Sequence, residues 1–97
     1  MHTYSDENGN SLTLAQWAAM QHAHSMGKVL AIDLVSRDGA QVTVKTMWFG
    51  LTVPALNVKP FGTAVSEGRW SEVAQYDTKA EALAGHRAII EQYAQAR

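Results

Sequence analysis

Tyr76-Asp77-Thr78-Lys79-Ala80-Glu81-Ala82-Leu83-Ala84-Gly85-His86 is the stretch whose reading decides the fold. Tyr76 ends an aromatic, alternating run. Asp77 or Thr78 caps a helix, and Glu81, three residues after Thr78, completes a capping box. The helix is expected to run to about Ala94. Leu83, His86, Arg87, Ile90 and Ala94 fall on one stripe, with Ala82, Ile89 and Tyr93 beside it. Upstream lie two aromatic, strand-like runs, Met47-Trp48-Phe49-Gly50-Leu51 and Pro60-Phe61-Gly62-Thr63-Ala64-Val65. A helix that follows such runs is expected to lie on a small sheet.

Working back, Trp70 to Tyr76 reads as a strand with Trp70, Glu72, Ala74 and Tyr76 on one side and Ser71, Val73 and Gln75 on the other. Gly68 turns the chain out of a strand at Pro60 to Glu67. Thr52 to Lys59, which holds Pro54 and Asn57, is a loop. Asp38-Gly39 is a two-residue hairpin signal. It joins Lys28 to Arg37 with Gln41 to Leu51, where Val42, Val44, Thr46 and Trp48 alternate with Thr43, Lys45, Met47 and Phe49. Thr13-Leu14-Ala15-Gln16 is a second capping box. It opens a helix expected to reach Met26, with Gly27 as the stop. Leu14, Trp17, Ala18 and Gln21 line its one narrow packing face, flanked by Met20 and His24. Residues 1–12 read as a flexible or turn-rich lead-in, and the polar Met1 to Asn10 within it is not a signal peptide. The order α-β-β-β-β-α, with antiparallel strands, predicts a two-layer α+β domain: a four-stranded antiparallel sheet with an N-terminal and a C-terminal helix.

Ninety-seven residues make one domain, 1–97. A hydrophobic fraction of 46% and a charged fraction of 18% are those of a folded globular chain. A formal net charge of −1 supplies no overall field toward nucleic acid or an anionic membrane. The absence of cysteine excludes disulfides, thiol chemistry and cysteine-held zinc. No apolar run approaches the ~20 residues of a membrane span. A cytoplasmic protein is the expectation.

The run Val42-x-Val44-x-Thr46-x-Trp48-x-Gly50-Leu51, then Phe61-x-Thr63-x-Val65, then Tyr76-x-Thr78-x-x-Glu81-Ala82-x-x-Gly85-His86 resembles a group of small proteins encoded by bacteriophages and prophages. The pattern covers roughly the C-terminal half, and Asn8-Gly9-Asn10 to Trp17 resembles the group's N-terminal region. The resemblance implies a phage or mobile-element setting, hence a bacterial host, and no reaction. This chain departs from the group at Thr52 to Lys59. A shorter, more polar, glycine-containing loop is usual there, and Val53-Pro54-Ala55-Leu56 makes it apolar.

Candidate chemistry is sparse. His22 and His24 sit about 200° apart on a helix, so they share no metal. His86 falls on an apolar stripe, where a buried histidine bonded to a backbone carbonyl is the expectation. A general base there would need a nucleophile, water or substrate in reach. Asp33 reads as an edge-strand aspartate facing solvent, with Arg87 or a histidine as its partner if it turns inward. Glu72 is the other strand carboxylate. No glycine pattern makes a phosphate loop. Gly85 inside a helix reads as room for a close neighbour under Trp48 or Trp70.

Trp48 and Phe49 point to opposite faces, so one of them is left for exposure. An exposed aromatic is a typical anchor for a protein partner. The leading expectation is therefore a non-catalytic interaction protein with Trp48, Phe49, Val53, Pro54 and Leu56 at the partner surface. Its target would be a host protein, such as an antiviral defence component, and a homodimer is another use of that surface. The alternative is a small-ligand binder, a sponge for a nucleotide signal, using Lys59, Arg69 and Trp70. An enzyme built on His86 and Asp33 is the third reading. Neither metal nor cofactor is expected. Nucleic acid is disfavoured, because no basic stripe is evident.

Overall fold

The computed structural model describes residues 3–23, 28–37 and 39–95. Strands β1 (Thr3–Ser5) and β2 (Ser11–Leu12) precede helix α1 (Leu14–Ala23). Then come β3 (Lys28–Arg37), β4 (Ala40–Trp48) and β5 (Leu51–Thr52), a 3₁₀ turn at Pro54–Leu56, β6 (Phe61–Ser66), β7 (Trp70–Tyr76) and helix α2 (Lys79–Gln95). The chain is α+β, but it is not the simple two-layer domain expected. A four-stranded antiparallel sheet, β3-β4-β6-β7, carries α2, and a second, three-stranded sheet, β2-β1-β5, caps its end.

Both capping boxes form. The Thr13 N–H donates to Gln16 Oε1 at 2.8 Å, and the Gln16 N–H donates to Thr13 Oγ1 at 3.1 Å. At α2 the Glu81 N–H donates to Thr78 Oγ1 at 3.1 Å, and the Thr78 hydroxyl donates to Glu81 Oε1 at 3.0 Å. Helix α1 is described to Ala23; the expected stop at Gly27, and His24, Met26 and Asp38 with them, lie outside the described residues. The β3–β4 register closes with Arg37 opposite Ala40, as a two-residue turn requires. Strand β4 ends at Trp48, earlier than expected. Gly50 adopts φ +72, a conformation suited to glycine, and turns the chain into β5.

Residues 3–12 form a turn between two short strands. Asp6 Oδ1 accepts the N–H groups of Asn8 at 2.9 Å and Asn10 at 2.8 Å, and Oδ2 accepts Asn10 Nδ2 at 3.0 Å. That turn pairs β1 with β2, while β5 pairs with the other edge of β1. Glu7 bridges Lys28 at 2.9 Å and Lys79 at 3.5 Å, tying the turn to the starts of β3 and α2.

Two buried clusters fill the space under α2. Val35, Val42, Val44 and Val65 meet Ile89, Ile90 and Tyr93. Trp48, Phe61 and Ala82 meet Leu12, Trp17, Met20, Leu30 and Tyr76. Arg87, expected on the packing stripe, is exposed. Helix α1 lies against β1 and β2, and its Trp17 and Met20 join the cluster around Trp48 and Phe61.

The face away from α2 is read from the register: Leu34, Thr43, Ser66 and Trp70 in one row; Ile32, Lys45, Ala64 and Glu72 in the next; Val29, Met47, Gly62 and Gln75 in the third. Strand β7 breaks the expected alternation. A register shift between Thr63 and Ala64 puts Trp70 and Glu72 opposite Ser66 and Ala64, but Ala74 and Tyr76 opposite Thr63 and Phe61. The extra residue of the bulge inverts the alternation, so that Ala74 and Tyr76 turn to the core face and Gln75 to the outer one.

Candidate functional site

Two constellations bring polar or apolar function together, and they lie on opposite sides of the larger sheet. The inner one is a row of hydrogen bonds. Thr46 and Thr63 are register partners on β4 and β6, and their hydroxyl oxygens stand 2.6 Å apart. His86, one turn beyond Ala82 on α2, places Nδ1 2.7 Å from Thr46 Oγ1 and Nε2 2.8 Å from Asp33 Oδ2. The Thr63 hydroxyl donates to the Tyr76 hydroxyl oxygen at 3.1 Å.

Each hydroxyl of the row can donate or accept, so the direction turns on one choice. Each threonine has one hydroxyl proton to give. If Thr63 gives its proton to Tyr76, then Thr46 donates to Thr63, and the His86 Nδ1–H donates to Thr46. Nε2 faces a carboxylate that only accepts. His86 thus sits between a carboxylate and a hydroxyl. The partners are two side chains, where a backbone carbonyl was expected.

Asp33, His86 and Thr46 are in the order of an acid–base–nucleophile triad. Thr46 and Thr63 nonetheless have no exposed surface, and His86 is 3% exposed. A nucleophile must meet its substrate. This row instead satisfies polar groups inside the sheet–helix layer. Only its end at Asp33, whose side chain is 55% exposed on edge strand β3, reaches solvent. Among the described residues no three His, Asp or Glu side chains cluster as metal ligands.

The outer constellation is a groove of about 600 Å³ where α1, the end of β4 and the 51–59 loop meet. Phe49, Leu51, Leu56, Lys59, Glu72 and Trp17 are among its walls. Gly62 lies close to two of these side chains: a Cβ there would come 3.0 Å from Glu72 Oε2 and 3.4 Å from Phe49 Cε2. The groove is rigidly framed. The Phe49 carbonyl accepts Trp17 Nε1 at 2.8 Å and Gln21 Nε2 at 2.6 Å. The Phe49 and Gly50 N–H groups both donate to the Pro60 carbonyl.

The loop is pinned from β7. The Lys59 N–H donates to Gln75 Oε1 at 2.9 Å, and Gln75 Nε2 donates to the Asn57 carbonyl at 3.0 Å. Val53 and Val58 pair across the loop base, and Asn57 takes φ 56 to close it. The product is a fixed tip with Leu56 74% exposed.

The structure thus sorts the residues expected from sequence. Trp48 is in the core with no exposed surface, and its Nε1 donates to the Ser5 carbonyl at 3.0 Å. It offers a partner nothing; Phe49 is the aromatic on the far side. Phe49 and Leu56 meet in the groove, Val53 is half-buried at the loop base, and Pro54 is exposed beside the tip. Lys59, Arg69 and Trp70 do not converge. Lys59 bonds Gln75 near one end of β7, and Arg69 and Trp70 stand at the other, about 17 Å of strand away. Gln75, Trp17 and Gln21 frame the groove, and sequence reasoning gave none of them that role. The only local signal was a long amide opposite a glycine, Gln75 against Gly62. No protein-family model matches the chain, and no curated protein or solved structure matches it.

Proposed function

We propose that this chain is a non-catalytic interaction protein that docks an apolar segment of a partner protein between Phe49 and the loop tip at Leu56. The observation that carries the reading is the fixed, outward-facing Leu56. A lone exposed leucine is ordinary. A leucine held out on a loop with its backbone tied at Val53, Asn57 and Lys59 is preorganised, so little ordering entropy opposes docking. The groove beside it has apolar walls, with Lys59 and Glu72 among its polar residues. That arrangement suits an aliphatic or aromatic anchor with a polar flank.

The burial of Thr46, Thr63 and His86 supports a structural role for the polar row, and so a binding function over a catalytic one. The resemblance to phage and prophage proteins supports a bacterial host protein as the partner, acting as an inhibited component of an antiviral defence system. The test is a pull-down from host lysate with wild type, Leu56→Asp and Gln75→Ala. Wild type should retain one host protein in stoichiometric amount. Leu56→Asp should reduce it at least tenfold with unchanged thermal unfolding, and Gln75→Ala should reduce it less, by loosening the tip. Full retention by Leu56→Asp would remove the site from this groove.

A further inference from the structure

The central face of the larger sheet, away from α2 and away from the Leu56 tip, carries an unusual load. Leu34 is 66% exposed, Ile32 57% and Trp70 49%. No helix covers them among the described residues. In their midst stands Lys45, whose Nζ lies 4.4 Å from the centre of the Trp70 ring. In the same row is Glu72, which forms no ion pair among the described residues. An apolar face with one central cation needs an occupant with a carboxylate at a matching place. A face with one lysine and one glutamate is no phosphate surface.

We propose that the occupant is a second copy of this chain, packed sheet on sheet about a two-fold axis parallel to the strands. The proposal shares Glu72 with the wall of the Leu56 groove but needs no contact at the tip, and it does not depend on that reading. Rotation about such an axis lays β3 of each copy over β7 of the other and keeps the rows aligned. Leu34 then lies over Trp70 of the other copy. Lys45 lies over Ala64, one strand from Glu72, within reach across sheets ~10 Å apart. A two-fold axis perpendicular to the strands would stack Lys45 on Lys45, so charge selects the first axis. The two contacts repeat by symmetry, which is what an isologous interface requires.

Sedimentation velocity of the full chain between about 1 and 100 µM tests the proposal. Wild type should sediment at twice the 10.6 kDa chain mass. Ile32→Glu should shift it to the monomer, with circular dichroism and thermal unfolding retained. Lys45→Glu and Glu72→Lys should each weaken the dimer at least tenfold, and the double exchange should restore it. Restoration separates a lost contact from a damaged fold. A wild type that stays monomeric at the highest concentration overturns the proposal. So does a dimer indifferent to Ile32→Glu, or a double exchange no better than either single one. Leu56→Asp should leave the dimer intact, so failure of the partner reading and failure of this one are distinguishable.

Discussion

His86 holds the most constrained side-chain position, because both ring nitrogens are engaged and the ring is buried. Its two bonds are unequal. Thr46 cannot replace a lost bond with water, whereas the Asp33 carboxylate can. His86→Leu, which keeps most of the volume, should therefore cost about 1–3 kcal/mol in urea denaturation, the penalty for leaving a buried polar group under-satisfied. Asp33→Asn should cost less than about 1 kcal/mol, because the pair is open to solvent at that end. Equal losses would mean that the exposed carboxylate carries the row. The stripe position of His86 was legible in sequence, since helical spacing alone puts it beside Ala82 and Ile90. Its partners were not. Thr46 and Thr63 meet only when β4 and β6 adopt one register, and Asp33 arrives from a third strand.

The elements were legible where the signal was local. Both capping boxes lie within three residues, and both form. The β3–β4 hairpin and the limits of β7 follow from alternation and turn chemistry. The bulge in β7 was not legible, since nothing in Trp70-Ser71-Glu72-Val73-Ala74 distinguishes an extra residue from an alternating one. Gly85 was correctly read as room for a neighbour, but the neighbour is Tyr76, not Trp48 or Trp70. An alanine Cβ there would overlap the Tyr76 ring. Gly85→Ala should therefore destabilise by about 1–3 kcal/mol through overpacking, even though alanine favours the helix interior by ~1 kcal/mol. A raised melting temperature would instead mean that Tyr76 swings aside cheaply. The Tyr76 hydroxyl would leave Thr63 in that case, and tyrosine fluorescence would report it.

At the scale of the molecule, an end cap rather than a second layer departs from expectation. Strands of three and two residues carry too little pattern to be seen, and β1 pairs with β5, almost fifty residues away. The cap is fastened by charge. The hydrogen bond from Lys28 holds the Glu7 carboxyl below its ordinary value of 4.5, and bonds from Asn10 hold Asp6 low in the same sense. A carboxyl lowered in the folded state stabilises it fully above the ordinary value, and that stabilisation fades as pH falls through the lowered one. Wild type should thus lose melting temperature on acidification below about pH 4.5. Glu7→Gln should melt lower at pH 7 and lose less on acidification, with the two curves converging in acid; parallel curves would dismiss the bridge. Among the described residues no helix is long and apolar enough to cross a membrane.

The bulge in β7 gives one strand two independent vocabularies. Before the bulge, Trp70 and Glu72 address the outside of the sheet; past it, Ala74 and Tyr76 address the inside. Drift at Trp70 and Glu72 leaves the interior grammar untouched. Such a chain can change what it recognises by rewriting two residues, without renegotiating how it folds.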